Sequence, residues 1–176
     1  NVYLNFAENL LKNRSDDIAI ISKSENSDLI KISYDELYQK VAKLANSLKK
    51  LGLEPGDRVA AVLPNSYEAI IAMLATTSIG AIWSSCSPDF GLKSITDRFN
   101  QINPKIIFSN RSYQYNGNTF NFDEKLNDIV SNLQSLENVI LVEKEYKKSL
   151  SNNYFNFSDL LDNDCAHIIF EKFPFD

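Results

Sequence analysis

Within eight residues, Ser84-Ser85-Cys86-Ser87-Pro88-Asp89-Phe90-Gly91 gathers three hydroxyls, a thiol and a carboxylate. Small polar side chains beside a glycine let backbone amides approach a phosphate or an amide-bearing ligand. The stretch falls between a strand-like and a helix-like segment, and open parallel sheets bind ligands outside the carboxyl ends of their strands. It therefore reads as a ligand-contacting loop. A plain strand-to-helix connection, with Ser and Asp as caps, accounts for the same residues. Cys86 has no neighbouring His and no adjacent basic residue to lower its thiol pKa, so it reads as a small buried filler rather than a nucleophile. Cys165 and His167 read as packing or loop residues, Trp83 as core, Arg98 as a local helix partner, and Lys147-Lys148 as a solvated loop tip.

Other chemistry is sparse. The two cysteines form no C-x-x-C, and the single histidine excludes a site built from several. There is no G-x-x-x-x-G-K-[ST], no G-x-G-x-x-G and no H-E-x-x-H, nor a G-x-S-x-G elbow. No carboxylate pair sits in an apolar setting suited to acid–base tuning. These residues alone describe an α/β ligand-binding domain with no identified catalytic group.

The chain has 176 residues, 44% of them apolar and 23% charged, which suits one domain, or one domain with a subdomain. Eighteen basic against 23 acidic residues give a net charge of −5. That disfavours nucleic acid and anionic membrane surfaces as partners. No apolar run approaches the roughly 20 residues a membrane-spanning helix needs. The N-terminus has no signal-peptide signature, and two free thiols suit a reducing, cytoplasmic compartment. The first residue is Asn rather than Met, as expected of a processed chain or an internal piece.

The elements that must position such a loop follow from periodicity. Leu4, Ala7, Leu10 and Leu11 place a short helix near Leu4 to Asn13. Ile18–Ser22 and Leu29–Ser33 read as paired strands across a polar turn. Ser33 with Glu36 opens a helix whose Leu37, Val41, Leu44, Leu48 and Leu51 form one stripe, ended by Gly52. Arg58–Leu63 is a doubly buried strand. Tyr67 to Ile79 is a helix apolar nearly all round, and Ala81-Ile82-Trp83 is a second buried strand. Together these make a βαβ crossover with parallel pairing. Leu92–Ile102, Ile106–Phe108, Asp123–Leu133 and Val139–Val142 continue as helix, strand, helix, strand, with Asn116-Gly117 marking a type I′ hairpin. The fold class is α/β, a largely parallel, doubly wound sheet with flanking helices. The body spans 1–142. Residues 143–176 read as an irregular connection, with Ser158 capping a short turn and the closing aromatics packed against something.

At the loop the sequence resembles a known family. Ala81-Ile82-Trp83-Ser84-Ser85-Cys86-Ser87-Pro88-Asp89-Phe90-Gly91, with Asp97-Arg98-Phe99 and Gln101-Ile102 before Pro104-Lys105, closely resembles the acetoacetyl-CoA synthetase (acetoacetate–CoA ligase) family. So do Leu4-Asn5-Phe6-Ala7-Glu8-Asn9-Leu10-Leu11 and Pro55-Gly56-Asp57-Arg58-Val59-Ala60. Ile32-Ser33-Tyr34-Asp35-Glu36-Leu37 looks like the first core motif of the wider adenylate-forming superfamily, and Ser78-Ile79-Gly80-Ala81 falls where the second lies. The likeness covers essentially the whole chain. Relatives that activate acetate or propionate carry a Gly-Gly-Phe-Ser-Pro type string instead.

The resemblance implies that the parent protein joins acetoacetate to CoA through an acyl-adenylate, using ATP and Mg²⁺ and releasing AMP and pyrophosphate. It also implies that this chain is part of the large N-terminal domain. The Gly/Ser/Thr-rich loop with its Lys follows the segment resembling Phe173-Pro174-Phe175-Asp176 in that family, so the chain is expected to lack the ATP-binding and catalytic motifs. It is expected to be inactive alone and to bind none of ATP, CoA and Mg²⁺ by itself. On the CoA side, the resemblance carries over Trp83, Ser84 and Ser85 as lining of the nucleotide channel, and Arg111 as a phosphate contact, the alternative for Arg111 being an exposed surface charge. Gln114 and Asn118 stand where relatives place basic residues, which puts the phosphate contact in question. Two alternatives remain open. One is a ligase for acetate, propionate or another short acid. The other is a non-catalytic remnant that binds CoA or a protein. Apolar surface left by truncation is expected to make the chain self-associate.

Overall fold

The computed structural model describes residues 2–25, 27–143 and 153–174. Its elements run β1 Tyr3–Leu4, α1 Phe6–Leu10, β2 Ile18–Ser22, β3 Ile30–Ser33, α2 Tyr34–Lys50, β4 Arg58–Val62, α3 Tyr67–Ser78, β5 Ile82–Cys86 and α4 Leu92–Asn100. They continue β6 Ile106–Ser109, β7 Ser112–Tyr115, β8 Asn118–Asn121, α5 Asp123–Asn132, β9 Asn138–Leu141, β10 Tyr154–Asn156, α6 Phe157–Leu160 and β11 Phe173–Pro174.

Strand alternation builds two cores on one sheet. Five strands in the order β10-β9-β6-β4-β5 pair in parallel throughout. On one face Val59, Ala61, Ile106, Phe108 and Ile140 meet α1, α2, α3 and α6. On the other, Ala60, Val62, Ile107, Val139 and Leu141 meet α4 and α5. Strands covered on both faces read as continuous apolar runs, which is what RVAAV and IIFS are. The doubly wound α/β architecture expected from the sequence is the one found.

Helix α2 forms as its sequence dictates. The Ser33 hydroxyl accepts the Glu36 N–H at 3.2 Å, and Leu37, Val41, Leu44 and Leu48 are buried. At its end the Gly52 N–H reaches the Lys49 carbonyl and the Leu53 N–H the Leu48 carbonyl, both at 3.0 Å. That is a Schellman cap, closed by the buried Leu48 and Leu53 side chains. The Asn116-Gly117 turn has φ of 50° and 73°, as a type I′ hairpin requires, between antiparallel β7 and β8.

Several expectations change. The first helix is only Phe6–Leu10: Asn5 caps it, Leu4 pairs in β1 with Phe173, and Leu4 and Leu10 are exposed while Ala7 and Leu11 are buried. Helix α3 is not buried all round, because Ile70 is 37% exposed. β5 is an edge strand rather than a doubly buried one: Ile82 is 53% exposed, and the strand runs on through Ser84, Ser85 and Cys86, which the sequence reading placed in a loop. Its hydroxyl residues hydrogen-bond along β4 instead of turning away. Asn156, not Ser158, occupies the cap position of α6, and β10 adds a fifth strand that no periodicity announced. The charged stretch Lys144–Lys148 lies outside the described residues.

The final segment returns across the molecule. The Ile168 N–H bonds the Tyr38 hydroxyl at 3.2 Å, and the Glu171 N–H bonds the Ser78 carbonyl at 3.0 Å. Asn5 joins three segments. Its Nδ2 donates to the carbonyls of Thr77, Ser78 and Glu171 at 3.0, 3.3 and 2.7 Å, while its Oδ1 accepts the Glu8 N–H at 3.1 Å. Phe173 lies against Gly80, whose φ is 85°, and a Cβ there would come within 2.6 Å of the ring. Phe170, packed against the core beneath the sheet, and Phe173 thus have partners, while Phe175 lies outside the described residues.

Candidate functional site

The parallel register brings Val62, Cys86 and Ser109 level at the carboxyl edge. Three loops leave from there, and α3 starts within five residues of β4. A fold of this type leaves its crevice in this place. The crevice is walled on two sides by the β2–β3 and β7–β8 hairpins. Their tips are tied together: the Glu25 carboxylate accepts the N–H groups of Asn116 and Gly117 at 2.8 and 2.7 Å.

Besides a cavity of about 350 Å³ between the two hairpins, two further cavities open here. One, of about 420 Å³, lies between the β2–β3 hairpin and the start of α3; Trp83, Ser85, Ile70, Met73, Tyr67 and Asn65 are among its walls. The second, of about 360 Å³, lies under the 87–91 loop, between Asn65, Ser85, Cys86, Ser87, Asp89, Tyr113, Gln114 and Tyr115. Ser85 and Asn65 border both.

The structure separates the residues carried over from the resemblance. Trp83 and Ser85 share one face of β5 and line the first cavity. Ser84 points to the opposite face, because successive strand residues alternate. Trp83 also packs on Phe108, ring centroids 5.8 Å apart, so it is core on one side and cavity wall on the other. Arg111 is not the exposed charge that was the alternative. Its side chain is 18% exposed and ion-paired with Asp123 on α5, and its backbone N–H donates to Glu143 at 2.6 Å. Gln114 donates to the Thr119 hydroxyl at 2.7 Å, and Asn118 to the Asn116 carbonyl at 3.0 Å.

Electrostatics keep the site protonated. Burial pushes the Cys86 thiol up, against the opposing pull of Arg98 and Lys125, so it is no thiolate nucleophile. Burial, then the charge and hydrogen bond of Glu68, push the Tyr67 phenol well above its ordinary range. Burial also raises Tyr113, helped by the hydrogen bond its hydroxyl gives Asp89. Asp89 accepts the Ser87 hydroxyl as well, at 2.9 Å. The Lys125 ammonium bonds the Pro88 carbonyl at 2.9 Å and lies over the Phe122 ring, while Arg98 covers Phe90. Among the described residues no group of three or more His, Cys, Asp or Glu could hold a metal ion.

Asn65, Tyr113 and Tyr115 went unnoticed in the sequence. The position of Pro64-Asn65 directly after a buried strand was a usable signal for the first. The tyrosines sit on a hairpin whose approach to β5 has no local signature.

A doubly wound sheet with a crevice at its carboxyl edge defines a class of nucleotide- and ligand-binding α/β proteins. Residues 6–170 match the AMP-binding enzyme family, and the chain belongs to that family. It is 40% identical to an acetoacetyl-CoA synthetase of Macaca fascicularis over 184 residues, covering 98% of the chain and 27% of the relative. It is 48% identical to that of Gallus gallus over 141 residues, covering 79% and 21%. The solved acetoacetyl-CoA synthetase of Streptomyces lividans superposes with a TM-score of 0.91 at 34% identity, over 99% of this chain and 27% of that one. A Brucella canis acyl-CoA synthetase shares the fold, with a TM-score of 0.80 at 19% identity. The chain spans about a quarter of the length of these relatives.

Proposed function

We propose that the chain is the thiol-side portion of the N-terminal domain of an ATP-dependent acid–thiol ligase that makes acetoacetyl-CoA through an acyl-adenylate. The observation that carries this reading is the similarity to acetoacetyl-CoA synthetases over nearly the whole chain, through the β5 string and its crevice. Acetoacetate, ATP and CoA are the substrates in this reading, in the cytoplasm. Among the described residues no group of three or more acidic side chains offers a ready-made cage for Mg²⁺, and this ion is ordinarily held by one or two carboxylates beside the phosphates of its substrate. We therefore assign metal and phosphate chemistry to other parts of the parent protein. Trp83 and Ser85 form the wall of the thiol-side crevice, and Ser84 supports it from behind. Arg111 orients the β7–β8 hairpin through Asp123 and Glu143 rather than meeting a phosphate. The preformed cavities support one change to the expectation that nothing binds here alone: a weak CoA contact.

Two experiments test this. The chain alone is expected to show no acetoacetate-dependent ATP–pyrophosphate exchange, and exchange above background would place the adenylation chemistry inside it. A chimaera carrying this chain in place of the matched segment of the Streptomyces lividans synthetase is expected to form acetoacetyl-CoA. A folded chimaera that accepts acetate or propionate but not acetoacetate would favour the short-acid alternative. One that adenylates acetoacetate but never transfers it to CoA would favour the non-catalytic remnant.

A further inference from the structure

We propose that Asn116 is a covalent modification site, a deamidation centre that the Glu25 carboxylate holds closed, so that the tie between the hairpins and the lifetime of the Asn116 amide are coupled. This site stands apart from the ligase reading and is the same whatever the crevice binds. Asn116 and Gly117 are both exposed at the tip of the β7–β8 hairpin. Open space surrounds Gly117, and it has no Cβ to hinder its backbone nitrogen.

The reaction needs only water. The Gly117 nitrogen attacks Asn116 Cγ and a C–N bond forms. The side-chain nitrogen leaves as ammonia, carrying the proton that Gly117 gives up. Water then opens the five-membered imide at either carbonyl, restoring a backbone N–H and leaving aspartate or isoaspartate. The folded turn blocks the first of these bonds. Asn116 has φ of 50°, and in a type I′ turn its ψ is about 30°. That puts the Gly117 nitrogen across the Cα–C bond from Cβ, out of reach of Cγ. Attack therefore requires the turn to open, and Glu25 opposes opening at both residues. Its carboxylate accepts the Asn116 N–H at 2.8 Å and, at 2.7 Å, the N–H of the attacking nitrogen itself. Hydrogen bonds to an ionised acceptor are the stronger kind. The coupling is reciprocal. Deamidation sets a second negative charge beside Glu25, and isoaspartate adds a backbone methylene to a two-residue turn. Either product releases the β7–β8 tip from the β2–β3 tip.

The test is incubation of this chain at about pH 7.5 beside the peptide Gln-Tyr-Asn-Gly-Asn-Thr, with conversion of Asn116 to aspartate and isoaspartate read by peptide mass mapping. The chain is expected to convert at least about tenfold more slowly than the peptide, since only its open fraction reacts. Glu25→Ala is expected to convert about three- to tenfold faster than the parent, and Glu25→Gln, which keeps a neutral acceptor, at a rate between the two. Asn116→Asp supplies the product's charge with the turn length kept, and is expected to speed amide exchange across β7 and β8. A parent that converts as fast as the peptide would overturn the proposal, as would a Glu25→Ala chain no faster than the parent. A rate rise matched by a fall in the urea midpoint of the whole chain would assign the opening to global unfolding and likewise overturn the role of the tie.

Discussion

Three segments converge on the Asn5 side chain. Replacing it with Ala uncaps α1 and removes a donor from three carbonyls, of which Thr77 and Ser78 keep the N–H groups of Gly80 and Glu171, so a loss of about 2–3 kcal/mol is expected from urea unfolding. Asn5→Asp retains the cap oxygen but turns a carboxylate towards three carbonyls, and is expected to lose at least as much. An Asp variant as stable as the parent would show that the donor side carries nothing. The raised phenols set an alkaline limit. A phenol raised in the folded state keeps its proton longer there than in the unfolded chain. Its stabilising contribution is therefore complete below about pH 10 and falls as pH climbs through the raised values. Lys105, raised chiefly by its hydrogen bond to Asp57, acts in the same direction. Thermal midpoints are expected to fall steeply above about pH 10, and less steeply in Tyr67→Phe. Identical slopes in the two proteins would contradict the role of Tyr67. At this scale the sequence shows types but not partners. Cys86 could be read as inert from its neighbours alone, whereas the pairing of Arg111 with Asp123, twelve positions away, depends on how β7 and α5 pack.

Elements were legible where periodicity and caps agree. α2 carries a cap, a 4-3-4-3 stripe and a terminal glycine, and all three recur in the structure. Ser33→Ala is expected to cost about 1 kcal/mol, read by denaturant midpoint. β5 was misjudged because Ser84 and Ser85 resemble loop chemistry, while the register with β4 extends it to Cys86. β10 was missed because three residues, Tyr154-Phe155-Asn156, carry no pattern of their own and are strand only beside β9. α1 was drawn too long because Leu4 and Leu10 fit the stripe, yet strand pairing claims Leu4 and no element covers Leu10 among the described residues. Gly80→Ala joins backbone strain to a collision with Phe173. It is expected to destabilise by about 1–3 kcal/mol and to free the β1–β11 pair, seen as faster amide exchange at Leu4. Phe173→Ala in the same background is expected to recover the collision part and leave the strain.

At the scale of the whole molecule, the sheet ends at an edge without charge or proline, Ile82-Trp83-Ser84-Ser85-Cys86, with no strand beyond it among the described residues. Uncharged edges are templates for pairing. We expect a second copy of the chain to pair there, giving a concentration-dependent dimer in sedimentation at about 100 µM that Ile82→Lys abolishes. A strictly monomeric parent at that concentration would contradict the proposed self-association. The fold class could be argued from alternating elements before any coordinates, and the crevice from the rule that ligands sit at carboxyl edges. How two hairpins, tied through Glu25, wall that crevice could not, since the tie joins residues some ninety positions apart. The central claim is that this crevice is the thiol side of a CoA ligase. Amide chemical-shift mapping with millimolar CoA tests it most directly. The account predicts perturbations clustered at Asn65, Ser85–Asp89 and Tyr113–Tyr115. Perturbations confined to other faces of the sheet, with these amides unmoved, would contradict it.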